Sequence, residues 1–275
     1  ITFSYTSGDA LQYLDYNIHS RVVVDPVAQG SKIKSETIPY SQTSVSVQPC
    51  YLREIYAGTF NVKFKSSTTT FGLQNSRKLD DIEIYMNREF LKKIKFSYSS
   101  FANKALKLDN IREQAGNKEL LIARFDYNTS VNLPGRDTKD FDHWGYYNGA
   151  GNSGYRPSFT YNSVASCPGA NREPSFNHAK ANILTKVWNN LGGYTEYIYG
   201  ANRARSNGAT DEIIGGIRID SVKQYADGGN GLVTKYEYKL ENGTSSGTKY
   251  AGKVMYVPPR VSPDPRATVE LTCPA

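Results

Sequence analysis

Residues that usually carry chemistry are scarce in this chain of 275 residues. It holds three Cys, three His, two Met and two Trp. Cys50, Cys167 and Cys273 lie far apart and form no CxxC pair, which excludes a zinc ribbon and a thioredoxin-like motif. One long-range disulfide plus a free thiol, or three free buried thiols, both fit the spacing. His19, His143 and His178 sit in no HxH or HExxH pattern, and no GxSxG occurs. No apolar run approaches the roughly 18 residues of a membrane-spanning helix. No secretory leader is visible either. Ile1-Thr2-Phe3-Ser4-Tyr5 already reads as a strand, so the chain is expected to start inside a fold. Helical periodicity is rare, and its best stretch, Asn177–Leu184, is short.

What is abundant points to strands. Hydrophobic residues make up 39% and charged residues 21%, a globular balance rather than a disordered one. Tyr is in excess, 21 against 11 Phe. A half-buried strand suits Tyr, because the ring packs while the hydroxyl reaches water or a backbone group. The net charge of +7 comes from scattered residues. The densest run, Lys92-Lys93-Ile94-Lys95, alternates like the wet face of a strand, so nucleic-acid binding is not expected.

Period-two alternation recurs as a strand–turn–strand unit. Tyr51–Tyr56 turns at Ala57-Gly58 and returns as Phe60–Phe64. Ile82–Tyr85 turns over Met86-Asn87-Arg88-Glu89 and returns as Phe90–Tyr98. Leu106–Arg112 turns near Ala115–Lys118 and returns as Leu120–Tyr127. Ile183–Trp188 turns at Asn189–Gly193 and returns as Tyr194–Tyr199. Gly216–Tyr225 turns at Ala226–Gly231 and returns as Leu232–Tyr238. The last four units close on aromatic pairs two residues apart: Phe96/Tyr98, Phe125/Tyr127, Tyr197/Tyr199 and Tyr236/Tyr238. Both rings of a pair share a face, and stacked units are expected to line them into an aromatic ladder. A lone hairpin is marginal in water, so the units must pack on one another. The fold class is therefore all-β: consecutive antiparallel hairpins stacked into a large curved or spiral sheet.

Around these units the chain divides into a β-rich lead-in (1–50, with Arg21-Val22-Val23-Val24-Asp25), hairpins (51–127), a Gly/Asn-rich insertion (128–182), further hairpins (183–254) and an extended Pro-containing tail (255–275). A loop as long as the insertion is usually functional or packs as a plug. Its cluster Asp140-Phe141-Asp142-His143-Trp144-Gly145-Tyr146-Tyr147 supplies the candidate ligand contacts: Asp140, Asp142, His143, Trp144, Tyr146 and Tyr147. The rings could stack on the apolar face of a sugar. The carboxylates do not meet the calcium-loop pattern, and capping of turns accounts for them. No catalytic, cofactor or metal residue is assigned. Gly192-Gly193, Gly215-Gly216 and Gly228-Gly229 read as turn or bulge glycines, not phosphate loops. Asp80-Asp81 and Asp211-Glu212 are poor acid/base dyads, since neighbours on a strand face opposite ways.

The unit Tyr225…Asp227-Gly228…Gly231-Leu232…Tyr236-Glu237-Tyr238 resembles a YD repeat, with Ala226 inserted in its Tyr-Asp pair. Over roughly residues 51–250 the chain is similar to Rhs/YD-repeat-like surface proteins of the kind common in Bacteroidota. The segments that carry this are Tyr51–Ile55, Leu79–Tyr85, His143–Gly149, Gly192–Tyr197 and Gly215–Ile219. The resemblance implies a secreted or outer-surface protein and a hairpin shell. The self-cleaving core that closes the shell in well-known Rhs proteins is not evident. The expected function is a non-enzymatic shell segment that encloses or presents cargo or mediates cell contact. Its expected partners are the rest of the polypeptide or an enclosed toxin or other cargo, with secretion or surface components. The alternative is a carbohydrate-binding or adhesin module using the aromatic loop at 141–161.

Overall fold

The computed structural model describes residues 1–17, 41–69, 75–155, 157–161, 165–205, 211–227, 229 and 231–247. In chain order the elements are β1 (Thr2–Ser7), β2 (Leu11–Asn17), β3 (Ser41–Val47), β4 (Cys50–Ala57), β5 (Phe60–Thr68), β6 (Arg77–Met86), β7 (Glu89–Ser100), β8 (Leu106–Ala115) and β9 (Lys118–Tyr127). They continue with β10 (Phe159–Tyr161), β11 (Ala165–Cys167), α1 (Phe176–Ala179), β12 (Leu184–Asn189), β13 (Tyr194–Arg205), β14 (Asp211–Tyr225) and β15 (Leu232–Lys235). Eleven strands form one open antiparallel sheet in the order β1-β4-β5-β6-β7-β8-β9-β12-β13-β14-β15. Two small ribbons, β2-β3 and β10-β11, stand apart from it.

The five expected hairpins are β4-β5, β6-β7, β8-β9, β12-β13 and β14-β15, in chain order along the sheet. The β6-β7 turn places both Asn87 and Arg88 at positive φ (52° and 72°), the backbone of a tight hairpin turn that matches strand twist. Two details differ from the sequence reading. β15 ends at Lys235, so Tyr236-Glu237-Tyr238 lies beyond the strand. The helix spans only Phe176–Ala179, and Leu184 already belongs to β12. The strand proposed around Arg21–Asp25, the 255–275 tail and Cys273 lie outside the described residues. Cys50 is exposed and free.

A second repeat, not foreseen, sits where one hairpin meets the next. Each returning strand pairs with the next outgoing strand through a one-residue bulge at the same place. Tyr5 faces Leu52 with Arg53 skipped, and Ser66 faces Leu79 with Asp80 skipped. Tyr98 faces Leu108 with Asp109 skipped. Tyr127 faces Leu184 with Thr185 skipped, and Tyr199 faces Ile219 with Asp220 skipped. The outgoing strands share the pattern Leu/Ile, bulge residue, any residue, Ile/Val. Bulges of this kind sharpen the twist and bend a strand, which helps so wide a sheet depart from flatness. In three units the bulge residue is an Asp preceded by a basic residue two positions back. The pairs are Lys78/Asp80, Lys107/Asp109 at 3.2 Å and Arg218/Asp220 at 3.4 Å. Ser67 and Ser99 donate to Asp80 and Asp109 at 3.0 and 2.8 Å. Gly200 stands in that Ser position next to Asp220, where a Cβ would collide with the carboxylate.

Three of the four closing tyrosines share a job. Tyr127 donates its hydroxyl to the Leu108 carbonyl (2.9 Å), Tyr199 to Leu184 (2.7 Å) and Tyr238 to Ile219 (2.8 Å). In each hairpin the ladder has stopped two residues before that carbonyl, at Asn110, Lys186 and Ser221. The hydroxyl thus satisfies a carbonyl that the diverging hairpin leaves without a ladder partner. We expect Tyr127→Phe and Tyr199→Phe each to lower stability by about 1 kcal/mol in urea unfolding. Burial raises the phenol pKa of Tyr127 and Tyr199, with Asp109 and Tyr197 adding to it. A raised acid holds its full contribution below the ordinary Tyr value of 10.0 and loses it as pH climbs above that value. The Phe variants should therefore lose less stability than wild type above that pH. Unchanged stability in both variants would contradict the role given to the hydroxyls.

Candidate functional site

The two faces of the sheet are unlike. Register places Phe64, Ile82 and Ile94 in one row and Phe96, Ile111 and Ala123 in the next. Phe125 faces Val187, and Tyr197 faces Val222. These residues alternate along their strands on one continuous face, and all are half-buried. The opposite face carries rows of alternating charge: Glu54-Lys63-Glu83-Lys93 and Asp126-Lys186-Glu196-Lys223. Glu196 lies 3.5 Å from Lys186 and 3.6 Å from Lys223. Such half-buried, solvent-screened pairs add little stability but favour one register. Among the described residues the only buried hydrophobic side chains are Ala170 and Ala204.

The expected ladder of closing pairs is replaced by another. On the charged face Arg124, Trp188, Tyr194 and Tyr225 stand in one row. Trp188 and Tyr194 are 4.7 Å apart by ring centroids, and Tyr194 and Tyr225 4.8 Å. Arg124 lies over Trp188 at 4.5 Å, and Lys186 over Tyr194 at 4.2 Å. The indole N–H donates to Asp126 at 2.6 Å. The row sits at the turn ends of the hairpins, where side chains meet directly across strands. The closing pairs sit at the bulges, which offset them from one unit to the next.

The insertion folds against the far ends of β13 and β14, and the sequence-assigned residues gather there. Asp142 is 2% exposed. Its Oδ1 accepts from the backbone N–H of Trp144 (2.8 Å) and Tyr146 (3.0 Å), closing the loop that Gly145 completes at φ 88°. Its Oδ2 is buried without a hydrogen-bond partner. Asp140 accepts from the Asn152 N–H. Trp144 is half-buried and abuts Gly215, where a Cβ would come within 2.6 Å of the Trp144 Cβ. Tyr146 is 45% exposed, with its ring edge against Gly216. The rings of Tyr147 and His178 meet edge to face at 5.3 Å, and those of His143 and Trp144 at 6.0 Å.

Sequence reasoning missed the residue that organises this cluster. Arg172 is 6% exposed and donates to the carbonyls of Lys139 (2.9 Å), Phe141 (2.7 Å) and Tyr155. Its guanidinium lies 4.0 Å from the Phe141 ring centroid. Burial pulls its pKa below the ordinary arginine value, while Asp140 and Asp142 oppose that shift. Asn148, also buried, donates to the carbonyls of Asn171 (2.9 Å) and Glu173 (3.1 Å). The partners are mostly backbone carbonyls, which leave no trace in side-chain patterning.

Chemically the cluster is a plug held by arginine. The guanidinium bonds three backbone carbonyls, and its charge is favoured by Asp140 and Asp142 nearby. No group of three or more His, Cys, Asp or Glu suited to a metal occurs among the described residues. The Ser175 hydroxyl lies 2.7 Å from His178 Nδ1. The far side of that ring rests on Gly149, where a Cβ would be 2.2 Å from Nε2, so the imidazole is packed against the insertion's own backbone. No helix among the described residues is long and apolar enough to cross a membrane. Comparison with family models, curated proteins and solved structures gives no match to this chain.

Proposed function

We propose that the chain is a non-enzymatic wall segment of a secreted or surface-exposed hairpin array of the Rhs/YD type. Its apolar face is turned towards something that the array encloses or presents. The observation that supports this is the sheet itself: eleven strands wide, with unlike faces and hardly any buried hydrophobic side chain among the described residues. An apolar sheet face is stable only against a second layer. The charged face needs none, because its rows neutralise themselves. Glycan binding by the 141–161 loop is the weaker reading. Trp144 and Tyr147 pack into the plug, which leaves Tyr146 as the exposed ring.

The test is a photo-crosslinking residue at Phe125, introduced into the whole polypeptide in which this chain occurs. A single dominant adduct, to another segment or a companion protein, is the expected result. An apolar face that captures only solvent would overturn the proposal. So would reproducible hydrolytic turnover that one substitution abolishes.

A further inference from the structure

We infer that the outer edge of β15 is a docking site for an extended strand of the outgoing type, with Leu or Ile, a bulge residue such as Asp, any residue, then Ile or Val. The inference deepens the wall reading and rests on it.

Five returning strands, β1, β5, β7, β9 and β13, pair on their outer side with an outgoing strand of that pattern. Register is the same each time: the second position of the closing pair faces Leu or Ile, and the first faces Ile or Val. Phe3 faces Ile55, Phe64 Ile82, Phe96 Ile111, Phe125 Val187 and Tyr197 Val222. β15 leads into the same closing sequence, Tyr236-Glu237-Tyr238, and among the described residues pairs only with β14. All four of its residues are exposed, Leu232 to 66%. Tyr236 still donates its N–H to Asp220 on the β14 side (2.9 Å), so the inner side is satisfied. An unpaired edge continuous with an established ladder is a template for strand addition.

A second copy of this chain does not fit. Its outgoing strands β4, β6, β8, β12 and β14 each have both edges filled. Ten antiparallel interfaces separate β1 from β15, so the two edge strands run the same way; β1 of one copy on β15 of another would pair in parallel, and β15 on β15 would lack the outgoing pattern. The occupant is therefore an outgoing strand from a further unit of the same repeat type.

The probe is a labelled ten-residue peptide of the β8 sequence, Leu106–Ala115, added to the intact chain and followed by fluorescence anisotropy. Saturable binding of one peptide per chain is expected. Lys at the Leu108 and Ile111 positions of the peptide should weaken binding at least about tenfold. Val233→Pro in the protein should abolish it, by blocking the edge at a strand residue. Should Val233→Pro fail to fold, a backbone N-methylated peptide asks the same question of the wild-type chain and should not bind. Absence of saturable binding, equal binding of the N-methylated peptide, or full binding to a folded Val233→Pro chain would each overturn the inference. Failure here with a Phe125 adduct intact removes the edge site and leaves the wall. Loss of the adduct with binding intact does the reverse.

Discussion

Replacing Arg172 with Ala should cost about 3–5 kcal/mol, the loss expected when one member of a buried, charge-assisted network is removed. Three carbonyls, those of Lys139, Phe141 and Tyr155, lose a donor that is itself buried. Asp140 and Asp142 lose the cation that offsets them. The stack on Phe141 goes as well. Arg172→Lys should recover only part of the loss, because an ammonium cannot serve three carbonyls from a planar fork. Unfolding followed by tryptophan fluorescence has a reporter in each half: Trp144 in the plug and Trp188 in the sheet. The Trp144 signal should melt at lower urea than in wild type, ahead of Trp188. A loss below about 1 kcal/mol would be an ordinary surface effect and would contradict the central place given to Arg172.

Gly215→Ala comes second in size, at about 1–3 kcal/mol, the range for forcing atoms into a packed site. The added methyl would lie 2.6 Å from the Trp144 Cβ and 2.9 Å from Asp142 Oδ2. Neither is the free end of a flexible side chain. The Trp144 Cβ is fixed to its backbone, and Asp142 is held by two N–H groups. The plug must therefore lift from β14. The double variant with Arg172→Ala should lose less than the sum of the two, since both act on the same docking. Additive losses in urea unfolding would show that the plug is not the shared element.

The hairpins were legible because half-buried strands alternate with period two and because Ala57-Gly58 and Asn87-Arg88 announce tight turns. The inter-unit bulge was not legible as such. Leu79-Asp80-Asp81-Ile82 and Leu108-Asp109-Asn110-Ile111 look like faults in alternation until register shows what skips what. The closing pairs were visible as a pattern, but their role was not. In three pairs the second ring serves a backbone carbonyl, and in three the first faces Ile or Val of the next unit, so they do not build a ladder. A ladder formed instead at Trp188, Tyr194 and Tyr225, which belong to different strands and share no sequence signature. The site was half legible. Asp140 through Tyr147 stood out by composition, whereas Arg172 was one basic residue among 33 Lys and Arg. The short α1 shows the same limit. Apolar spacing over 177–184 suggested a helix, but Leu184 is taken by the sheet through its pairing with Tyr127.

The most direct test of the wall is a pair of photo-crosslinkers at neighbouring positions, Phe125 and Asp126, in the whole polypeptide. The two side chains point to opposite faces of β9, so the local sequence and the chemistry of capture are matched. The wall predicts a defined adduct from position 125 and none from 126. Equal capture from both, or capture from 126 alone, would contradict it.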